Sequence, residues 1–299
     1  MRLRLGARGS ALSLAQAALV LRALGGEESV ELVVVRTTGD RLSAEGAPIS
    51  WKGDFTRELD EALLAGRIDL AVHSLKDVPS SLPEGLVLAA VPEREDPRDV
   101  LVAQPRRVFS ELPPRARIGT SSPRRRAQLR RARADLEVME ARGNVDTRIR
   151  RLREGRFDAL VLARAGLARL GRTDEISDVF DESVLLPAVG QGALGIVTRR
   201  VGIPDAVRLL DHPASHAEVL AERGFLAALG AGCRAPVAGR ARVSGSRLEF
   251  AGAVFSADGA TALRAEQSGS AADAENVGRR AAEDVLARGA GDLVRAAGA

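Results

Sequence analysis

Lys76 and Asp77 lie in the segment His73-Ser74-Leu75-Lys76-Asp77-Val78-Pro79, at the end of a run of strand-like residues. An ammonium beside a carboxylate at a strand end suits acid/base work. The same residues also fit a plain turn, with Asp ahead of a proline-containing bend. The chain has a single cysteine, Cys233, so no intrachain disulfide can form. It lies in Leu229-Gly230-Ala231-Gly232-Cys233-Arg234-Ala235-Pro236, after a helical pattern. A structural cysteine sits more naturally within an apolar element. A glycine-bracketed loop followed by Arg234 fits an accessible thiol whose thiolate the guanidinium favours.

Thr120-Ser121-Ser122-Pro123-Arg124-Arg125 carries an anion-binding mechanism. Ser122 can cap a helix with Pro123 at its first position, where a missing N–H costs nothing. The free N–H groups and positive helix end then favour an anion. Arg124 and Arg125 oppose that dipole unless an anion offsets them. Arg142 and Arg148 flank a second strand-to-helix turn and can offer planar forks to carboxylates or phosphates. Arg126, Arg130, Arg131, Arg133, Arg150, Arg151 and Arg153 read as solvated helix faces.

Other signals exclude functions. Gly190-Gln191-Gly192-Ala193-Leu194-Gly195 matches G-x-G-x-x-G but leads into the extended-looking Ile196-Val197-Thr198, so no dinucleotide site is expected. No nucleotide-triphosphate loop occurs. His73, His212 and His216 with one cysteine make a poor metal set.

The elements that must position these residues alternate. Strands are expected at Arg2–Gly6, Val30–Arg36, Ile68–His73, Leu86–Val91, Val100–Ala103, Arg117–Gly119, Leu136–Ala141 and Phe157–Leu162. Helices are expected at Ala11–Leu24, Asp54–Ala65 (Asp54 as N-cap), Pro123–Ala134, Val145–Glu154 and Ala165–Leu170. That pattern predicts an α/β fold with mainly parallel sheets. After about residue 215 a helix, three short strands and a final helix (Ala271–Ala287) predict a small α+β domain with an antiparallel sheet. Arg8-Gly9-Ser10, Thr37-Thr38-Gly39-Asp40, Ser74-Leu75-Lys76-Asp77, Thr120-Ser121-Ser122 and Arg142-Gly143-Asn144 all follow strands. In open parallel sheets such ends can converge on one cleft.

The 299 residues are 45% hydrophobic and 28% charged, a globular composition long enough for two or three domains. No apolar run is long enough to span a bilayer. Ala11–Leu24 reads as an amphipathic helix rather than a signal peptide, so a cytoplasmic protein is expected. Of 44 basic residues all but Lys52 and Lys76 are arginine. Residues 105–156 hold 16 Arg against 6 acids in a chain of net charge +4, which suggests an anionic partner against that region. Nucleic acid is disfavoured, because aromatics are only 3% of residues and stacking platforms are scarce.

The same residues carry a resemblance. Arg8-Gly9-Ser10 with Leu12, Leu14, Ala15 and Gln16, the His73–Pro79 segment, Gly119–Arg125, Arg142-Gly143-Asn144-Val145, Leu186–Gly192 and Gly232-Cys233 resemble the porphobilinogen deaminase (hydroxymethylbilane synthase) family. They occur in the family's order over nearly the whole chain. Pro123 and Ala141 stand where that family commonly has Leu.

The resemblance implies two hinged periplasmic-binding-protein-like domains, 1–94 plus 193–212 and 98–190, and a third at 215–299 that carries Cys233. It implies a dipyrromethane cofactor joined to Cys233 by a thioether, and condensation of four porphobilinogen molecules with loss of ammonia. By resemblance Asp77 is catalytic. Lys76, Ser74, Thr120, Ser122, Arg124 and Arg125 hold cofactor carboxylates, and Arg8, Ser10, Arg142 and Arg148 bind substrate. Arg41–Gly53 resembles a mobile active-site loop, and Phe55 packs against the cofactor. A monomer with neither nucleic-acid nor membrane partner is expected. The rival reading is a non-catalytic anion-binding module, which gives Cys233 nothing to carry.

Overall fold

Short β-branched runs alternate with helical segments, and a computed structural model turns this alternation into three sheets. It describes residues 2–45, 53, 55–231 and 235–298. The chain begins β1 (Leu3–Arg8), α1 (Ala11–Ala23), β2 (Val30–Val35), α2 (Thr38–Glu45), α3 (Arg57–Leu64), β3 (Leu70–Ser74), β4 (Leu86–Ala90). It continues with β5 (Asp99–Ala103), β6 (Arg117–Gly119), α4 (Pro123–Ala132), β7 (Glu137–Met139), α5 (Val145–Arg153), β8 (Ala159–Ala163), α6 (Arg164–Arg169) and β9 (Asp178–Val179). The remainder is β10 (Leu194–Arg199), α7 (Asp205–Arg208), α8 (Pro213–Ala228), β11 (Val237–Ser244), β12 (Arg247–Phe255), β13 (Ala262–Ser270), α9 (Ala274–Ala287) and α10 (Ala290–Gly298).

Two compact units result, residues 1–95 with 193–216 and residues 96–192 with 217–299. The first holds a five-stranded sheet ordered β2-β1-β3-β10-β4. β10 pairs antiparallel with both β3 and β4, so the other four strands share one direction. The second unit repeats the plan as β7-β6-β8-β5-β9, with β5 as the inserted antiparallel strand. The inserted strands, β5 and β10, are the ones that follow the first two of the chain's three crossings between units. No helical crossover from a sheet neighbour fixes their direction, which is why the sheets are mixed within a mainly parallel frame.

In each sheet the strand order reverses between two adjacent parallel strands, β1 and β3 in one and β6 and β8 in the other. Carboxyl ends at such a reversal are where open α/β sheets bind ligands. The last three strands form an antiparallel sheet, β11-β12-β13. Its core includes Phe225, Leu248, Phe250, Val254, Val277 and Val285.

Three local expectations change. The helix expected at Ala271–Ala287 begins at Ala274 after a 3-10 turn and is not the last, since α10 follows it. Residues 38–45, read as loop, form α2. The helix after it starts at Arg57, with Thr56 at the cap and no capping side-chain bond; Asp54 lies outside the described residues.

Candidate active site

In the first unit, β1 delivers Arg8 and hands over to α1 through Gly9 and Ser10. Ser10 Oγ caps α1 by accepting from Ser13 N at 3.3 Å, and Ser13 Oγ accepts from Arg8 N at 3.0 Å. The Arg8 guanidinium turns to Asp40: Nε lies 3.2 Å from both carboxylate oxygens and Nη2 lies 2.5 Å from Oδ1. Thr37 Oγ1 donates to the other oxygen at 2.7 Å. Burial would raise the Asp40 pKa, but Arg8 and Thr37 hold it below the ordinary carboxylate value. The Phe55 ring centroid lies 4.0 Å from Arg8 Cζ, a cation–π distance.

β3 ends in Ser74, whose Oγ accepts from the buried Gln16 amide at 2.8 Å. A 3-10 turn, Leu75–Asp77, follows at once. Leu75 anchors it: the side chain is buried and its N–H donates to Ala193 O at 3.1 Å. A Cβ on Gly195 would stand 2.4 Å from Leu75, so the last glycine of the G-x-G-x-x-G string makes room for this anchor. With Leu75 seated, Lys76 is half-buried and Asp77 is exposed. Behind them His73 is buried, and its Nε2 has no hydrogen-bond partner. Burial, with the Arg8 charge second, pushes its pKa down to about 4, so the ring is neutral at pH 7.

In the second unit, β6 ends in Gly119 and the buried Thr120, whose N–H donates to Met139 O at 2.9 Å. Ser121 Oγ donates to Ala141 O at 2.6 Å, tying this strand end to the segment that carries Arg142. Ser122 caps α4, accepting from Arg125 N at 3.4 Å, with Pro123 at the first position. Arg124 and Arg125 are only 3% and 5% exposed. Arg124 Nη1 lies 2.7 Å from Asp99 Oδ2 and donates to Leu186 O at 2.7 Å. Arg125 donates to Asp99 Oδ1 from Nε (3.0 Å) and Nη2 (2.7 Å), and to Val161 O from Nη1 at 2.9 Å. Gln191 Nε2 adds bonds to Asp99 Oδ1 at 2.9 Å and Pro97 O at 2.6 Å. Burial opposes ionisation of Asp99, yet the two guanidinium charges hold its pKa far below the usual carboxylate range.

The anion that α4 and its arginines call for is thus supplied partly by the chain itself. Among the described residues Asp99 is the one carboxylate paired with these two guanidiniums. One buried positive charge is left over, and Arg124 Nε is buried without a hydrogen-bond partner. Uncompensated buried charge is costly. This donor set fits a further carboxylate, the chemistry a dipyrromethane bearing acidic side chains would bring.

Arg142 and Arg148 bracket Gly143 at the start of α5, where Asn144 caps by accepting from Thr147 N at 2.9 Å. Arg142 is exposed, with Nε 2.8 Å from Glu140; Arg148 Nε donates to Gly143 O at 2.7 Å. Cys233 lies outside the described residues, as does most of the segment expected to be a mobile loop, Lys52 included.

A family model described as "Porphobilinogen deaminase, dipyromethane cofactor binding domain" matches residues 3–202. The chain belongs to the porphobilinogen deaminase family. A second model, the porphobilinogen deaminase C-terminal domain, matches residues 216–287. Proteins named porphobilinogen deaminase are similar almost end to end. That of Rubrobacter xylanophilus is 52% identical over 98% of this chain and 96% of its own. Those of Syntrophobacter fumaroxidans and Roseiflexus castenholzii are 45% and 47% identical, each over 96% of this chain and 95% and 96% of their own. By shape, the Bordetella pertussis BvgS VFT2 domain aligns with TM-score 0.39 and 16% identity over 70% of this chain and 83% of that one.

Sequence reasoning missed Asp99, Gln191 and Asp40 as partners of candidate arginines. Asp99 ends the charged stretch Pro92–Asp99, which reads as a linker, and Gln191 sits inside the rejected glycine motif. An acid at the very start of an apolar strand was the available signal for Asp99.

Proposed function

We propose the following division of labour for the porphobilinogen deaminase reaction in this chain, in which four porphobilinogen molecules join head to tail with loss of ammonia. Dipyrromethane, attached at Cys233, supplies the nucleophilic pyrrole carbon and the tether for the growing chain. Asp77 accepts pyrrole N–H groups, moves the proton and stabilises the positive charge that develops as ammonia departs. Its exposed position at the end of a turn fixed by Leu75 supports that role.

Arg124, Arg125, Thr120, Ser122, Lys76 and Ser74 hold the cofactor's carboxylates. The observation that carries this assignment is the buried positive charge that Asp99, their one carboxylate partner among the described residues, leaves uncompensated. Arg8, Ser10, Arg142 and Arg148 bind the acidic side chains of incoming porphobilinogen. Planar forks match carboxylates better than point charges do, which suits an arginine-rich site.

The division into domains 1–94 plus 193–212, 98–190 and 215–299 belongs to the same proposal, supported by the separate core of the third sheet. So does a cytoplasmic monomer with no nucleic-acid partner. Several arginines of the basic span face the chain's own acids, among them Arg117 with Asp158, Arg133 with Asp135 and Arg142 with Glu140. No helix among the described residues is long and apolar enough to cross a membrane.

The test is incubation of the purified protein with porphobilinogen. One ammonia released per porphobilinogen consumed, with a linear tetrapyrrole as product, is expected. Binding without ammonia release would favour the anion-binding module instead.

A further inference from the structure

Arg8 is held from three sides. Its Nε and Nη2 edge is committed to Asp40. One face of its guanidinium lies on the Phe55 ring. Its backbone N–H is fixed by Ser13 Oγ at 3.0 Å. Nη1 makes no hydrogen bond to any described residue. Asp40 is itself secured by the buried Thr37, whose Oγ1 donates to Oδ2 at 2.7 Å and accepts from Asp40 N at 3.2 Å.

We infer that Asp40 is a positioning residue, which locks one edge of Arg8 so that the Nη1 edge is presented to a carboxylate of incoming porphobilinogen. This rests on the substrate-binding role proposed for Arg8. A free arginine side chain samples many rotamers, and a ligand that must order it binds more weakly. Here the ordering is done by the chain before substrate arrives, and it serves every one of the successive additions.

The pairing also shapes the recognition. Arg8 and Asp40 together carry no net charge, and His73 behind them is neutral at pH 7. Attraction to an anion is therefore short-ranged and directional rather than a diffuse cationic pull. A carboxylate must meet the free edge of the fork to gain from it. Such an arrangement selects a correctly seated acid side chain over any passing anion.

A double-mutant cycle tests the inference through steady-state kinetics with porphobilinogen. Asp40→Asn is expected to raise KM about tenfold while kcat changes much less, the signature of lost binding. In an Arg8→Met background the same substitution is expected to add little. An equal KM effect in both backgrounds would show that Asp40 acts independently of Arg8 and would overturn the inference. So would an unchanged or lowered KM for Asp40→Asn. An Arg8→Met protein with normal KM would instead overturn the substrate role of Arg8 itself. Should Asp40→Asn fail to fold, Thr37→Val frees Asp40 more gently and is expected to raise KM a few-fold, again only when Arg8 is present. No KM change in Thr37→Val would then count against the inference.

Discussion

Asp99 and Arg125 are joined by two hydrogen bonds, from Nε at 3.0 Å and Nη2 at 2.7 Å, with both side chains more than nine-tenths buried. Asp99 also faces Arg124, so its removal strands two guanidiniums. Breaking a buried pair in this way costs about 3–5 kcal/mol. Asp99→Asn is therefore expected to lower stability by that order in urea unfolding at pH 7. The pH dependence has a definite sign. The folded pKa of Asp99 is depressed, so its contribution is complete above the unfolded value near ~3.9 and drains as pH falls below it. The variant's stability should consequently fall less steeply than the wild type's under acid. Equal acid slopes would show that Asp99 is not the ionised partner of this pair.

His73 gives a separate pH window. Its folded pKa of about 4 lies below the ordinary 6.5, so between these values the unfolded chain takes up a proton that the folded chain refuses. Stability linked to this group is full above about pH 6.5 and declines towards pH 4, by about 3 kcal/mol at most. His73→Gln should remove that component, narrowing the stability gap between pH 7 and pH 4.5 relative to wild type. Parallel profiles for the two proteins would rule out a neutral buried imidazole.

What the sequence reveals about this fold depends on whether a signal is local. The apolar runs at Val30–Val35 and Leu86–Ala90, and the Ser122-Pro123 helix start, are decided by neighbouring residues and were legible as such. Helix α2 was not. Its Thr38-Gly39-Asp40 start has little helical period, and its first turn is capped from a distance by Glu58, which accepts from Thr38 N at 2.9 Å and Thr38 Oγ1 at 2.7 Å. β13 likewise runs to Ser270 through Gln267-Ser268-Gly269, polar residues recruited by pairing with β12 rather than by their own pattern. In the candidate site the arginines were visible by type, but Asp40 and Asp99 become their partners only when a strand and a helix 26 to 32 residues apart come together.

Asp77 is exposed at the end of its turn, so replacing it should leave the fold alone. Surface changes of this kind usually shift stability by no more than about 0.5 kcal/mol. Loss of a positioned acid/base group costs about 10²–10⁴ in rate. Asp77→Ala is expected to melt like the wild type, keep its covalent cofactor mass and turn over at least ~10²-fold more slowly. Near-normal kcat in a folded variant would remove Asp77 from the reaction.

Cys233→Ser tests the tether and the charge accounting together. Intact-mass measurement of the wild type should show two pyrrole units beyond the chain mass, and Cys233→Ser should show none, because a serine hydroxyl is a far weaker nucleophile than a thiolate. An unmodified wild type that still turns over would refute the attachment. Without cofactor carboxylates, the two positive charges at Arg124 and Arg125 face, among the described residues, the single carboxylate of Asp99. An added anion should then fill the gap. Sulfate is expected to raise the melting temperature of Cys233→Ser more than that of the loaded wild type, beyond the general stabilisation both share. If sulfate stabilises the two proteins equally, the uncompensated charge is not where the cofactor's carboxylates bind.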